Sequence, residues 1–90
     1  MFKDIIEVNH QDNYLLYLKF ENEKEGNIDI SQLIEFTGIF ARLQDINYFK
    51  TVKLNPEWGT IYWGNGADLD PDFLYSIVRE VEESNLKLFP

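Results

Sequence analysis

The segment that begins at Asp70-Pro71 constrains the fold of this chain most, because it is the one stretch with a clear helical period. Aspartate can cap the first turn of a helix with its side chain, and proline is favoured at the first helical position. Leu69 and Leu74 flank the cap at the spacing of a hydrophobic staple. Apolar residues then recur at the spacing of one helical face: Phe73, Leu74, Ile77, Val78 and Val81. The pattern predicts a C-terminal amphipathic helix, whose single apolar face requires another layer to pack against.

Short apolar runs upstream of this helix predict strands. Residues 5–9, 14–20 and 27–30 are rich in Ile, Leu, Val and Tyr, and polar turn-forming stretches separate them, which predicts a three-stranded meander. Two further runs, residues 51–54 and 60–63, flank a turn at 55–59 and predict a hairpin. The predicted fold is therefore α+β, with an antiparallel sheet of about five short strands and the C-terminal amphipathic helix packed on one face.

The segment between the meander and the hairpin predicts short helical pieces and loop. Ser31 is placed to cap a short helix, and Gly38 is placed to end it. Asp45 can begin another helical turn within residues 39–49.

Length and composition limit the chain to one small domain. Its 90 residues are 44% apolar and 16% aromatic, far more apolar than a disordered chain of this length. We expect a core over about residues 5–83, followed by a tail at 84–90. The N-terminus has no signal-peptide pattern, and no apolar run approaches the roughly 20 residues that span a bilayer. The sequence thus predicts a cytoplasmic protein without a membrane partner.

The charge balance narrows the possible partners. Sixteen acidic and eight basic residues give a net charge of −8 and a pI near 4.4. A chain with this charge is not expected to bind nucleic acid directly, because phosphate contacts need clustered Lys and Arg. The absence of cysteine excludes disulfides, thiolate nucleophiles and Cys-ligated zinc. No cofactor motif is present, and we expect no cofactor.

Catalytic residues are equally scarce in the sequence. His10 is the only histidine, and it falls in a predicted polar turn without a partner to orient it. None of the serines lies in a nucleophile motif. The sequence therefore predicts a protein that is not an enzyme.

Three aspartates, Asp68, Asp70 and Asp72, alternate at the start of the predicted helix. Carboxylates at this spacing can converge on a hard cation such as Ca²⁺. The calcium-loop signature is not met, because its glycine and glutamate positions are occupied by Phe73 and Arg79. Helix capping by Asp70 and a favourable dipole interaction of Asp72 are the simpler interpretation. A small metal- or ligand-binding protein that uses these acids remains the alternative function.

The order of motifs resembles a known bacterial family. Ile28-Asp29-Ile30-Ser31 is followed by Phe40, Leu43 and Phe49, and then by the block Trp63, Asn65-Gly66 and Asp68-Leu69. This order is similar to that of the small bacterial family named domain of unknown function 2442, over about residues 5–78. Members often carry proline where this chain has Gly64.

The resemblance implies an antitoxin-like or regulatory role. Some relatives are encoded beside small toxin-like partners, and some carry an added helix-turn-helix domain. No helix-turn-helix segment precedes Pro90 in this sequence, so the DNA-binding role of such relatives is not expected here.

Aromatic and apolar residues outside the predicted core are the candidate contact residues. On strand 60–63, Trp63 shares the inner face with Ile61, whereas Tyr62 points to the other side. Exposed aromatic side chains are enriched where partners bind, although turn aromatics can also cover a sheet edge. The tail can dock back as a strand, fray, or pair with the strand edge of another chain, and the last of these is compatible with a homodimer. The candidates are Trp58, Tyr62, Leu86, Leu88 and Phe89, and the predicted function is a non-catalytic interaction module for a basic protein partner.

Overall fold

The computed structural model of the chain describes residues 4–78. The first three strands form an antiparallel sheet in the order β1-β2-β3: β1 (Ile5–Asp12), β2 (Leu15–Phe20) and β3 (Glu25–Asp29). Alternate residues of the central strand β2 are buried, namely Leu16, Leu18 and Phe20. This two-residue period places one face of the sheet on the core, and confirms the predicted meander.

The first hairpin is tighter than the sequence predicts. β1 continues through His10, which pairs with Leu16 of β2, and the chain reverses at Asn13-Tyr14. Asn13 has a φ of +48°, a left-handed conformation that asparagine tolerates better than most residues. The four polar residues 10–13 therefore lie mostly in the strand.

Two short 3-10 helices and one helical turn follow β3: Ile30–Gln32, Gly38–Gln44 and α1 (Ile46–Phe49). Asp29 caps the first of them by accepting the backbone N–H of Ser31 at 3.0 Å, so the predicted cap at Ser31 is wrong by two residues. Gly38, predicted as a helix end, instead begins the second 3-10 helix with a φ of +56°. The prediction that Asp45 begins a turn is confirmed, since its carboxylate accepts the N–H of Asn47.

A second antiparallel sheet has the order β4-β5-β6: β4 (Lys53–Asn55), β5 (Thr60–Tyr62) and β6 (Asp68–Leu69). The α+β class is confirmed, but the residues described form two three-stranded sheets in place of the predicted single sheet of about five strands. β6 could not be predicted from the sequence, because two residues are too few to show strand alternation.

Both sheets contribute to one hydrophobic core. Leu18 and Phe20 from the first sheet, Ile61 and Leu69 from the second, and Phe49 between them belong to the same buried cluster. The two small sheets therefore stabilise each other by sharing a core, since three strands alone bury little apolar surface.

The C-terminal helix α2 begins at Pro71 and is described over residues 71–78. Leu74 and Val78 are buried, whereas Phe73 is 40% exposed, so the buried face of the helix is narrower than the apolar face that the sequence predicts. Val81, the last residue of that predicted face, lies outside the described residues. The helix also packs on the first sheet: a Cβ at Gly26 would lie 3.2 Å from Cγ1 of Val78. No helix within residues 4–78 is long and apolar enough to cross a membrane.

Asp70 caps α2, as the sequence predicts. Its carboxylate accepts the N–H of Asp72 at 3.0 Å. We expect Asp70→Ala to lower the free energy of unfolding by about 0.5–2 kcal/mol, because that N–H loses its acceptor. Asp70→Asn keeps an acceptor at the same position and serves as the matched control. Urea denaturation followed by circular dichroism measures both, and equal losses in the two variants would contradict a capping role.

Candidate interaction surface

The turn between β4 and β5 is held by its own hydrogen bonds. The side-chain oxygen of Asn55 accepts the N–H groups of Glu57 at 3.0 Å and Trp58 at 3.3 Å. The N–H of Gly59 donates to the backbone carbonyl of Asn55 at 2.8 Å. Asparagine at the first position of a turn stabilises it in this way, so the backbone that carries Trp58 has a defined conformation.

The same turn is fastened to the edge of the first sheet. The N–H of Ile5 donates to the carbonyl of Gly59 at 2.9 Å. Gly59 has a φ of +68°, and the side chain of Asp4 lies directly over its Cα, where a Cβ would be only 2.4 Å from Cβ and Cγ of Asp4. Glycine is therefore required here for its conformation and for the space that Asp4 occupies.

Trp58 is the most exposed large apolar side chain within residues 4–78. It is 70% exposed, and Ile6, which follows the Ile5 whose N–H donates to Gly59, is 49% exposed. An irregularity in the β1–β2 register between Ile5 and Glu7 accompanies the outward position of Ile6. We call Trp58, Ile6 and Asp4 the Trp58 surface.

Acidic residues lie in and beside the Trp58 surface. Glu57 precedes Trp58 in the turn and is exposed, and Asp4 is half-buried beside Gly59. Glu21 is also exposed, and its backbone N–H donates to the carbonyl of Asp4 at 2.9 Å. This hydrogen bond places Glu21 next to Asp4 in the structure. The surface therefore combines a large aromatic group with negative charge.

Tyr62 lies on the outer face of the second sheet. It stands between Lys53 of β4 and Asp68 of β6 in the register, while Leu54, Ile61 and Leu69 form the inner row. The Tyr62 side chain is half-buried. Its outward orientation agrees with the prediction from strand alternation.

The apolar tail residues Leu86, Leu88 and Phe89, which the sequence analysis proposes as contacts, lie outside the described residues. Their part in partner binding stays a prediction.

The Trp63–Leu69 block fixes the β5–β6 connection. Trp63 is fully buried and donates its indole N–H to the carbonyl of Phe49 at 2.7 Å. Asn65 donates to the carbonyl of Ile39 at 3.1 Å and accepts the N–H of Ala67 at 3.1 Å. Gly66 has a φ of +94°, which glycine adopts without strain. These contacts give the block a structural role within the described part of the chain.

The family model described as "Protein of unknown function (DUF2442)" matches residues 5–80. The chain belongs to this family. No curated protein and no solved structure was found to match it.

In this DUF2442 domain the three alternating aspartates do not converge. Asp70 is engaged as the cap of α2, and Asp68 lies in the outer row of β6. Within residues 4–78, no group of three or more His, Asp or Glu side chains is placed to hold a metal ion.

His10 is held by local contacts. Its Nε2 lies 2.8 Å from the carbonyl of Asn13, and its ring packs edge-on against Phe49 at 5.9 Å. These contacts agree with a structural role at the β1–β2 hairpin.

Asp4 and Ile6 are the parts of this surface that the sequence analysis missed. Ile6 belongs to an apolar strand run, and strand alternation does not reveal on which side a register irregularity places its side chain. Asp4 precedes the first strand and becomes relevant only because Gly59, far along the chain, packs against it. Gly59 is the one feature of the sequence that indicates another part of the chain could pack closely against this turn.

Proposed function

We propose that this DUF2442 domain is a non-catalytic interaction module that binds a basic protein partner through the Trp58 surface. The observation that carries the proposal is the 70% exposure of Trp58 on a turn that Asn55 and Gly59 hold in place. Tryptophan is enriched among the residues that dominate binding energy at interfaces. A side chain on a pre-organised turn also loses less conformational entropy on binding than one on a flexible loop.

Charge supports a basic partner. The acids around Trp58 are part of a net charge of −8, which would accelerate encounter with a positively charged protein and disfavour duplex DNA. An antitoxin-like or regulatory role toward a small basic protein, implied by the relatives encoded beside toxin-like partners, is the specific form of this proposal. Tyr62, on the same hairpin as Trp58, extends the candidate contact region.

Trp58→Ala tests the proposal. We expect this change to weaken partner binding by at least about tenfold, because loss of a central tryptophan typically costs about 2 kcal/mol or more of binding free energy. The wild-type chain and its variants would be used to purify proteins from extracts of the source cells. Each captured protein would then be identified, produced alone and titrated against the chain by calorimetry.

Ile39→Ala is the matched control, because Ile39 is also a large apolar residue, 50% exposed, but lies in the second 3-10 helix. We expect this variant to keep the partner, and both variants to keep the circular dichroism spectrum of the wild type. Equal capture by the wild type and Trp58→Ala would refute the proposal, as would tight binding of duplex DNA at physiological salt.

A further inference from the structure

The packing at Gly59 brings the carboxylate of Asp4 close to the backbone of Trp58. A Cβ at Gly59 would lie 2.7 Å from Oδ1 of Asp4. Since consecutive Cα atoms are about 3.8 Å apart, this oxygen lies within about 8 Å of the Cα of Trp58. The Asp4 carboxylate therefore lies close to the residue that carries the exposed indole, although 54 positions separate the two residues in the sequence.

This pair of groups is suited to a cation. The face of a tryptophan ring attracts a cation within about 6 Å more strongly than the rings of tyrosine or phenylalanine do. A carboxylate beside the ring can accept hydrogen bonds from the same cation. Guanidinium combines both interactions better than ammonium, because it is planar, stacks on an aromatic face and donates in a fixed fork. The chain itself contains such a stack, with Cζ of Arg42 4.3 Å from the centroid of the Tyr48 ring.

We infer that Trp58 and Asp4 together form a recognition site for an arginine side chain of the partner protein. The guanidinium stacks on the exposed indole and donates to the Asp4 carboxylate. Glu21 and Glu57 add negative potential around the site and favour a cationic ligand. This inference rests on the proposed function and specifies which group of the partner is recognised.

The test selects ligands without knowledge of the natural partner. A library of random short peptides displayed on phage is enriched on the full wild-type chain after depletion on Trp58→Ala. We expect the enriched peptides to share an arginine. One of them is then synthesised with arginine and with citrulline, its uncharged analogue of nearly the same shape, and both peptides are titrated by calorimetry.

A double-mutant cycle assigns the contact. We expect the wild type to bind the citrulline peptide about tenfold more weakly than the arginine peptide. We expect Asp4→Asn to bind the arginine peptide about three- to fivefold more weakly than the wild type does, which is the range for a partly exposed ion pair beside an aromatic ring. The citrulline peptide should bind the wild type and Asp4→Asn equally. Asp12→Asn, which removes the same charge from the far end of β1, should change the affinity less than twofold.

Several outcomes would overturn the inference: no peptide enriched over the depleted background, enriched peptides without arginine, or equal effects of Asp4→Asn and Asp12→Asn. Lysine in place of arginine would contradict the guanidinium assignment. The failure of this site is distinguishable from the failure of the proposed function. If a basic partner is captured in a Trp58-dependent way and its affinity is unchanged by Asp4→Asn, only the arginine site is refuted. Arginine recognition in the peptide cycle without any Trp58-dependent partner refutes only the proposed function.

Discussion

Trp63→Ala, in the connection between β5 and β6, is expected to lower the free energy of unfolding by about 3–5 kcal/mol. Trp63 is fully buried, and its ring packs against Phe49 with 5.6 Å between ring centroids. Alanine would leave a large cavity, and the carbonyl of Phe49 would lose the indole N–H that donates to it at 2.7 Å. A domain of this length has a total stability of about 5–13 kcal/mol, so a large part of it would be lost.

Trp63→Phe separates the two contributions and keeps the prediction testable if the alanine variant does not fold. Phenylalanine retains much of the apolar volume but cannot donate to the carbonyl of Phe49, so we expect a loss of about 1–3 kcal/mol. Trp58→Phe is the matched control, because Trp58 is 70% exposed and its replacement should change stability by less than about 0.5 kcal/mol. Urea denaturation followed by circular dichroism measures all three variants. Equal midpoints for Trp63→Phe and Trp58→Phe would contradict the role of Trp63 in the core.

Gly59→Ala is expected to destabilise the domain by about 2–5 kcal/mol. A residue with a side chain is strained at a φ of +68°, and the new Cβ would meet Cβ and Cγ of Asp4 at 2.4 Å. Because Cβ of Asp4 is bonded directly to its main chain, side-chain rotation cannot remove this contact. Relief therefore requires the turn to move away from the first sheet, at the expense of the hydrogen bond from Ile5 to Gly59. The displaced turn would also carry Trp58 away from Asp4.

Gly38→Ala is the control for backbone strain alone. Gly38 also has a positive φ, of +56°, but a Cβ there would have nothing within 4 Å, so we expect a loss of only about 1 kcal/mol. In an Asp4→Gly background, Gly59→Ala should lose its steric component and approach the effect of Gly38→Ala. If Gly59→Ala and Gly38→Ala are equally stable in thermal and urea denaturation, the packing of Asp4 on Gly59 is wrong.

Local signals in the sequence predicted the strands and the start of the helix well. Two of these signals depend only on interactions between residues close together in the chain: the alternation of Leu16, Leu18 and Phe20, and the pair Asp70-Pro71. Such local interactions can be recognised from the sequence alone. The sequence also offered exposed positions for Trp58, in a turn, and for Tyr62, on the outer side of its strand, as one of two interpretations. The other was that these aromatic side chains cover a sheet edge. The cap at Ser31 was misplaced because Asp29, Ser31 and neighbouring polar residues compete for the same backbone N–H groups.

The sequence by itself determined the α+β class, the meander, the hairpin, the helix cap and the buried position of Trp63, because each depends on periodicity or on groups close together in the chain. Only the tertiary structure decided that the strands divide into two sheets with a shared core, and that Asp4 meets Gly59 beside Trp58. Strand partners and contacts between distant residues are set by the packing of the whole core, which many different pairings of the same short strands could satisfy locally.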